Sequence, residues 1–128
     1  MNRFLIIFSI IFSVLLLSAE EEIKILRVID GDTVSAESRG TQIKIRLSEI
    51  DAPEMDQPFG TSSKKCLSEL IRENSGLKFK SDGQDGYSRS LGWLMADQIN
   101  LNYEMVKRGC AWVYDRYVVN KTIYSFQN

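Results

Sequence analysis

The chain contains no histidine. That excludes His–Ser and His–Cys nucleophile pairs and any histidine-ligated zinc site. Acid–base work is left to carboxylates, tyrosines, lysines or metal-bound water. Excess positive charge is also missing, since 16 basic residues face 17 acidic ones for a net charge of −1. A polyanion cannot be held here by bulk charge, so any grip on phosphate must be local. There is no internal repeat and no low-complexity segment. The only two prolines, Pro53 and Pro58, fall in one stretch between Asp51 and Gly60 and mark it as a loop. The two cysteines, Cys66 and Cys110, either form one bridge across 44 positions or remain two buried thiols.

The first residues read as a targeting segment rather than part of a fold. Asn2-Arg3 gives a positive start, and Phe4 to Leu17 is apolar apart from Ser9 and Ser13. Ser18-Ala19 and then three glutamates follow. This is a signal-peptide pattern, too short for a membrane span of roughly 20 residues. Cleavage is expected after Ala19, with an uncleaved anchor as the alternative. Residues 1–19 are therefore set apart from one domain, 20–128, expected in the periplasm or outside the cell. Without Arg3 that domain carries 15 basic and 17 acidic residues, a net charge of −2. About 109 residues can bury a modest core.

Apolar alternation predicts strands at 23–29, 33–37 and 41–50, separated by the turns Asp30-Gly31-Asp32 and Ser38-Arg39-Gly40. In the third, Ile43, Ile45 and Leu47 share one face and Arg46 points to the other. A helix is expected over 63–74, capped by Ser62 or Ser63, with Cys66, Leu67, Leu70 and Ile71 at helical spacing. Strands follow at 77–81 and 91–95, then a helix over 100–108 that buries Leu101, Met105 and Val106 and ends at Gly109. Ala111 to Tyr114 is extended, and Trp93, Trp112 and Tyr114 are assigned to the core or its rim. The order fits a mainly β domain with helices (α+β), a five-stranded Greek-key barrel of the OB type with two or three helices.

Chemistry concentrates in three clusters: Asp30-Gly31-Asp32-Thr33, Arg46 to Glu54, and Asp85-Gly86-Tyr87-Ser88-Arg89. Taken singly, each residue has a plain reading as a turn aspartate, a solvated loop glutamate or a surface arginine. Taken together they form a set. Asp32 and Asp51 at strand–turn junctions, with a backbone carbonyl such as that of Ala52, suit a hard divalent cation. Glu54 in a stiff loop could activate a water. Arg46 and Arg89 could clamp a phosphate from two sides. Tyr87 and Tyr117 could hydrogen-bond a phosphate or stack on a base.

Val28-Ile-Asp-Gly-Asp-Thr-Val34, Ile45-Arg-Leu-x-x-Ile-Asp-Ala-Pro-Glu54, Asp85-x-Tyr-x-Arg-x-Leu91 and Asn102-x-x-Met-Val-Lys-x-Gly-x-Ala-Trp-Val-Tyr114 resemble the thermonuclease, or staphylococcal nuclease-like, family. The resemblance runs from about Ile25 to Tyr117. It implies an OB-fold, Ca²⁺-dependent phosphodiesterase that cuts DNA and RNA, favours single strands, acts as a monomer and leaves 3′-phosphates. By position, Asp32 and Asp51 would hold the metal. Glu54 would be the base, Arg46 and Arg89 would bind and stabilise the phosphate, and Tyr87 and Tyr117 would line the binding pocket. After signal cleavage no stable membrane association is expected. Departures are also present. Gly86 stands where some members carry lysine, Ser88 replaces a usual glycine, and the loop Met55 to Phe59 is short and lacks lysine. Val118 to Asn128 shows no helical periodicity where the family continues into a charged third helix. The alternatives are a catalytically weak or inactive nucleic-acid-binding OB module, or a remnant lacking that helix.

Overall fold

The computed structural model describes residues 20–115 and 121–127. The expected signal segment 1–19 and Tyr117 lie outside the described residues. Among the described residues no helix is long and apolar enough to cross a membrane.

The strands are β1 (Glu21–Glu22), β2 (Lys24–Asp30), β3 (Thr33–Ser38), β4 (Thr41–Leu47), β5 (Ile50–Asp51), β6 (Lys78–Gln84), β7 (Ser90–Ala96), β8 (Ile99–Asn100) and β9 (Trp112–Val113). The helices are α1 (Gly60–Glu73) and α2 (Leu101–Lys107), and a 3-10 helix spans Lys121–Phe126. The sheet runs β1-β6-β7-β4-β3-β2, antiparallel except for the parallel β4–β7 pair. Only Ile23 separates β1 from β2. One extended segment therefore bonds β6 at its start and β3 along the rest, and the sheet returns on itself as an OB-type barrel. β5 and β9 form a separate short ladder.

The alternation expected in β4 holds: Ile45 and Leu47 are buried with Val34, Ala36, Phe79 and Leu94, while Arg46 faces the other way. The run does not continue to Ile50. It breaks at Ser48-Glu49, where Glu49 takes φ 69°, and the chain turns into β5. β6 extends to Gln84, beyond the expected end at Ser81, because its register against β7 shifts after Ser81 and resumes at Gln84.

α1 begins three residues before its expected start. Phe59 stands at the N-cap with φ 66° and no side-chain cap. Ser63 is not a cap. It is buried, and its Oγ donates to the Cys110 carbonyl at 2.7 Å. Leu67 and Leu70 are buried on the barrel side, whereas Cys66 and Ile71 are half-buried. α2 has Asn100 as N-cap, whose side chain accepts from Tyr103 N–H, and Leu101, Met105 and Val106 are buried as expected. After Val118 the described residues include the 3-10 helix Lys121–Phe126, which buries Ile123 against the core.

Cys66 and Cys110 are joined. The bridge ties α1 to the segment that leads into β9. Reduction is expected to lower unfolding stability by about 2–4 kcal/mol. Denaturant melts with and without reductant measure this, and superimposed curves would contradict it.

Candidate active site

β4 and β7 bring the two arginines together. The parallel register sets Arg46 beside Leu91, and Arg89 lies two residues before Leu91, on the same side of the extended chain. Both line a groove of about 550 Å³, together with Glu49, Asp51, Asp82, Asp85, Tyr87 and Tyr114.

Arg46 organises one end of the groove. Its Nη1 donates to the carbonyls of Leu47 (2.6 Å) and Ile50 (2.8 Å), so the Ser48-Glu49 turn wraps around the guanidinium. Its Nη2 lies 3.4 Å from Asp32 Oδ2 and 3.3 Å from Asp51 Oδ1. The two aspartates therefore flank one nitrogen. Asp32 is buried, and its carboxylate accepts from Ala52 N–H (2.9 Å) and Thr33 Oγ1 (2.9 Å). Asp30 Oδ1 in turn accepts from Asp32 N–H at 3.0 Å, which fixes the turn. Burial pushes the Asp32 carboxyl up to about 7, with neighbouring Asp30 adding to the rise and Arg46 opposing it. A carboxyl in that condition gains from more positive charge nearby.

Gly31, between these aspartates, admits no side chain. A Cβ there would lie 1.8 Å from Ser63 Oγ and 2.8 Å from Ala52 Cβ. The turn bearing Asp32 is thus pressed between α1 and the loop after β5.

Arg89 is held differently. Its Nε donates to Asp85 Oδ2 at 2.7 Å, and its own N–H and that of Tyr87 donate to Asp85 Oδ1, both at 2.9 Å. Burial raises the Asp85 carboxyl, but these hydrogen bonds and the guanidinium charge outweigh it and hold the group below its usual range. Ser88, at φ 61°, adopts the left-handed conformation that glycine would take, so the loop closes without one. The Arg89 guanidinium carbon sits 5.8 Å from the centre of the Tyr87 ring, which is 84% exposed.

Glu54 is placed apart from this group. Its loop is closed by Gln57 N–H to Glu54 O (2.9 Å), Gly60 N–H to Gln57 O (3.1 Å) and Glu54 N–H to Gln57 Oε1 (2.7 Å). Its side chain is exposed and makes no hydrogen bond or ion pair with the described residues. It is not among the residues lining the groove. The structure thus brings Arg46, Asp51, Arg89 and Tyr87 to the groove, joins Asp32 and Ala52 to them through Arg46 Nη2 and the Ala52 N–H, and leaves Glu54 in solvent.

Two residues outside the expected set shape the site. Glu49 is 2% exposed, and its Oε1 accepts from Trp93 Nε1 (2.8 Å) and Tyr103 OH (3.0 Å). Burial and the Glu49 charge raise the Tyr103 hydroxyl well above its usual range. Asn102 is fully buried. Its Nδ2 donates to the Ser48 and Gly92 carbonyls (2.9 and 3.0 Å), and its Oδ1 accepts from Leu94 N–H at 3.1 Å. It ties the turn that wraps Arg46 to β7. The sequence signals were faint: Glu49 continues the inward parity of Ile45 and Leu47, and Asn102 opens the fourth motif. Trp93 is buried, as expected, but Trp112 is 47% exposed, because β9 has only β5 as a partner.

The acidic pair offers oxygen donors only, around a position that already receives a cationic nitrogen. This donor chemistry fits a hard divalent ion, although among the described residues no group of three or more acidic, histidine or cysteine side chains converges. The remaining ligands would be backbone carbonyls and water.

A family model for staphylococcal nuclease homologues matches residues 44–127. A Haemophilus influenzae protein described as an uncharacterized endonuclease is 40% identical over 121 residues, covering 91% of this chain and 67% of the relative. An Escherichia coli O157:H7 protein of the same description is 33% identical over 129 residues, covering 100% of this chain and 84% of the relative. The micrococcal nuclease of Shigella flexneri is 32% identical over 103 residues, 73% of this chain and 59% of its own length. The matched span takes in the second half of β4, both arginines, Asp51 and Glu54, and on these matches the chain belongs to the staphylococcal nuclease homologue family.

Proposed function

We propose that this protein is a calcium-dependent nuclease that hydrolyses phosphodiester bonds of DNA and RNA, with single strands the favoured substrate. The observation that carries the reading is Arg46 Nη2 between Asp32 and Asp51, in the same groove as Arg89. Names of the relatives, endonuclease and micrococcal nuclease, point the same way. Asp32, Asp51 and the Ala52 carbonyl would hold the ion, which when bound neutralises the acids and draws charge from a phosphate oxygen.

The chain's own residues do the rest. Arg46 and Arg89 take the non-bridging phosphate oxygens from two sides, and their planar donors match the charge that grows as phosphorus becomes five-coordinate. Tyr87 holds the approach to Arg89, and Tyr117 is proposed, by the resemblance alone, as a second tyrosine for the substrate. Glu54 receives the proton of the attacking water. The new P–O bond forms as the bond to the 5′-oxygen breaks, leaving a 3′-phosphate. The apolar leader at residues 4–17 supports export to the periplasm or medium. Action as a monomer, free of the membrane once that leader is removed, completes the proposal.

One observation favours a second reading, a binding module with little catalysis: Glu54 does not line the groove. Cleavage of single-stranded DNA, with Ca²⁺ and with excess chelator, decides between them. The nuclease reading expects cleavage that chelator stops. It also expects Glu54→Gln to cut kcat by about 10²–10⁴-fold, the usual worth of a general base. Folded protein that binds DNA but does not cut it would establish the binding module.

A further inference from the structure

Next to the groove the molecule has a feature that the proposed reaction does not use. β5 and β9 pair so that Asp51 is the register partner of Trp112. A second depression of about 490 Å³ is lined by Asp51, Trp112, Val113, Tyr114 and Asp115. It shares Asp51 and Tyr114 with the groove, so the two adjoin at Asp51. Trp112 is 47% exposed although its neighbours Ala111 and Val113 are buried. A large indole left open beside a carboxylate of the site is a surface that wants a flat, apolar partner.

We propose that Trp112 is the stacking platform of a second nucleotide subsite. It takes the base of a nucleotide that lies outside the groove lined by Tyr87, next to Asp51. The inference rests on the nuclease reading and adds a substrate contact to it. Charge favours the base over the backbone: among the described residues Asp51 and Asp115 line the depression, and no lysine or arginine does. A phosphate would be repelled there, whereas a nucleobase presents a neutral face to the indole and amino or imino hydrogens to a carboxylate. An exposed aromatic then lines each of the two adjoining depressions, Tyr87 the groove and Trp112 the other, which suits unpaired strands whose bases can turn outward.

The test uses the full chain and a six-nucleotide single-stranded DNA carrying one abasic nucleotide moved along its length. Binding is read in chelator by fluorescence anisotropy, and cleavage is read in Ca²⁺. In wild type one abasic position is expected to weaken binding about ten-fold, the usual worth of a stacked base. Trp112→Ala is expected to weaken binding of the intact oligonucleotide by the same factor and to lose sensitivity at that position. Its KM should rise about ten-fold while kcat stays within about two-fold. Trp112→Phe, which keeps a ring, should restore most of the affinity. A Trp112→Ala protein that melts like wild type and binds equally well would overturn the subsite, as would an equal loss wherever the abasic nucleotide sits. Wild type that binds in this pattern without cutting would sink the nuclease reading and keep the subsite. Normal cutting with a silent Trp112→Ala would do the reverse. No binding by wild type would sink both.

Discussion

Arg89→Ala is expected to lower kcat by about 10²–10³-fold, with little change in unfolding stability. That is the usual effect of removing one donor aimed at developing charge in a sheltered site. The geometry gives a reason for the split between activity and stability. Arg89 lies in a surface loop before β7, and its bonds to Asp85 organise the loop rather than the barrel. Asp85 would still accept from Tyr87 N–H and from residue 89 N–H in the variant. Arg89→Lys should recover only part of the rate, because an ammonium cannot present two donors in a plane. Asp85→Asn should fall between the two, since it weakens the grip that aims the guanidinium. Steady-state kinetics on single-stranded DNA, beside thermal melts, would measure this. A variant that turns over like wild type would remove Arg89 from the proposed reaction.

Asn102→Ala is expected to be the most damaging single change in stability, at about 3 kcal/mol or more. The side chain bonds three backbone groups, Ser48 C=O, Gly92 C=O and Leu94 N–H; Gly92 C=O keeps Ser48 N–H as a second donor (2.8 Å), so the loss falls on Ser48 C=O and Leu94 N–H. Each buried group left without a partner costs about 1–3 kcal/mol. A small domain has only about 5–15 kcal/mol in hand. The loss should also reach the site, because the Ser48-Glu49 turn wraps Arg46 and leads into Asp51. Chemical denaturation would show the shift. An unchanged midpoint would mean that water or a backbone shift replaces all three bonds.

Local patterning made much of the fold legible. Ile43, Ile45 and Leu47 alternate against Arg46, and Leu67 with Leu70, or Leu101 with Met105, repeat at helical spacing. Those periods come from the geometry of a single element, so a single segment carries them. Partners across space carry no such signal. Ser63 looks like a helix cap in sequence but is spent on the Cys110 carbonyl, a contact across 47 positions. Glu49 looks like an interrupted strand. Its left-handed backbone is held by Trp93, Tyr103 and Tyr114, three residues from later elements. The two arginines could be named as a pair from their motifs, but their adjacency follows from the parallel β4–β7 register, which no local pattern encodes. Trp112 reads in sequence as core or rim; its 47% exposure depends on β9 having a single neighbour.

The β5–β9 ladder also sets a timetable. Asp32, Arg46 and Asp51 are all synthesised in the first half of the chain, yet Asp51 is steadied only when Trp112 pairs with it. A nascent chain leaving the ribosome therefore carries the acids and the first arginine long before it can hold them in register. A translation product interrupted before Trp112 therefore holds Asp32, Arg46 and Asp51 but lacks the strand that pairs with Asp51.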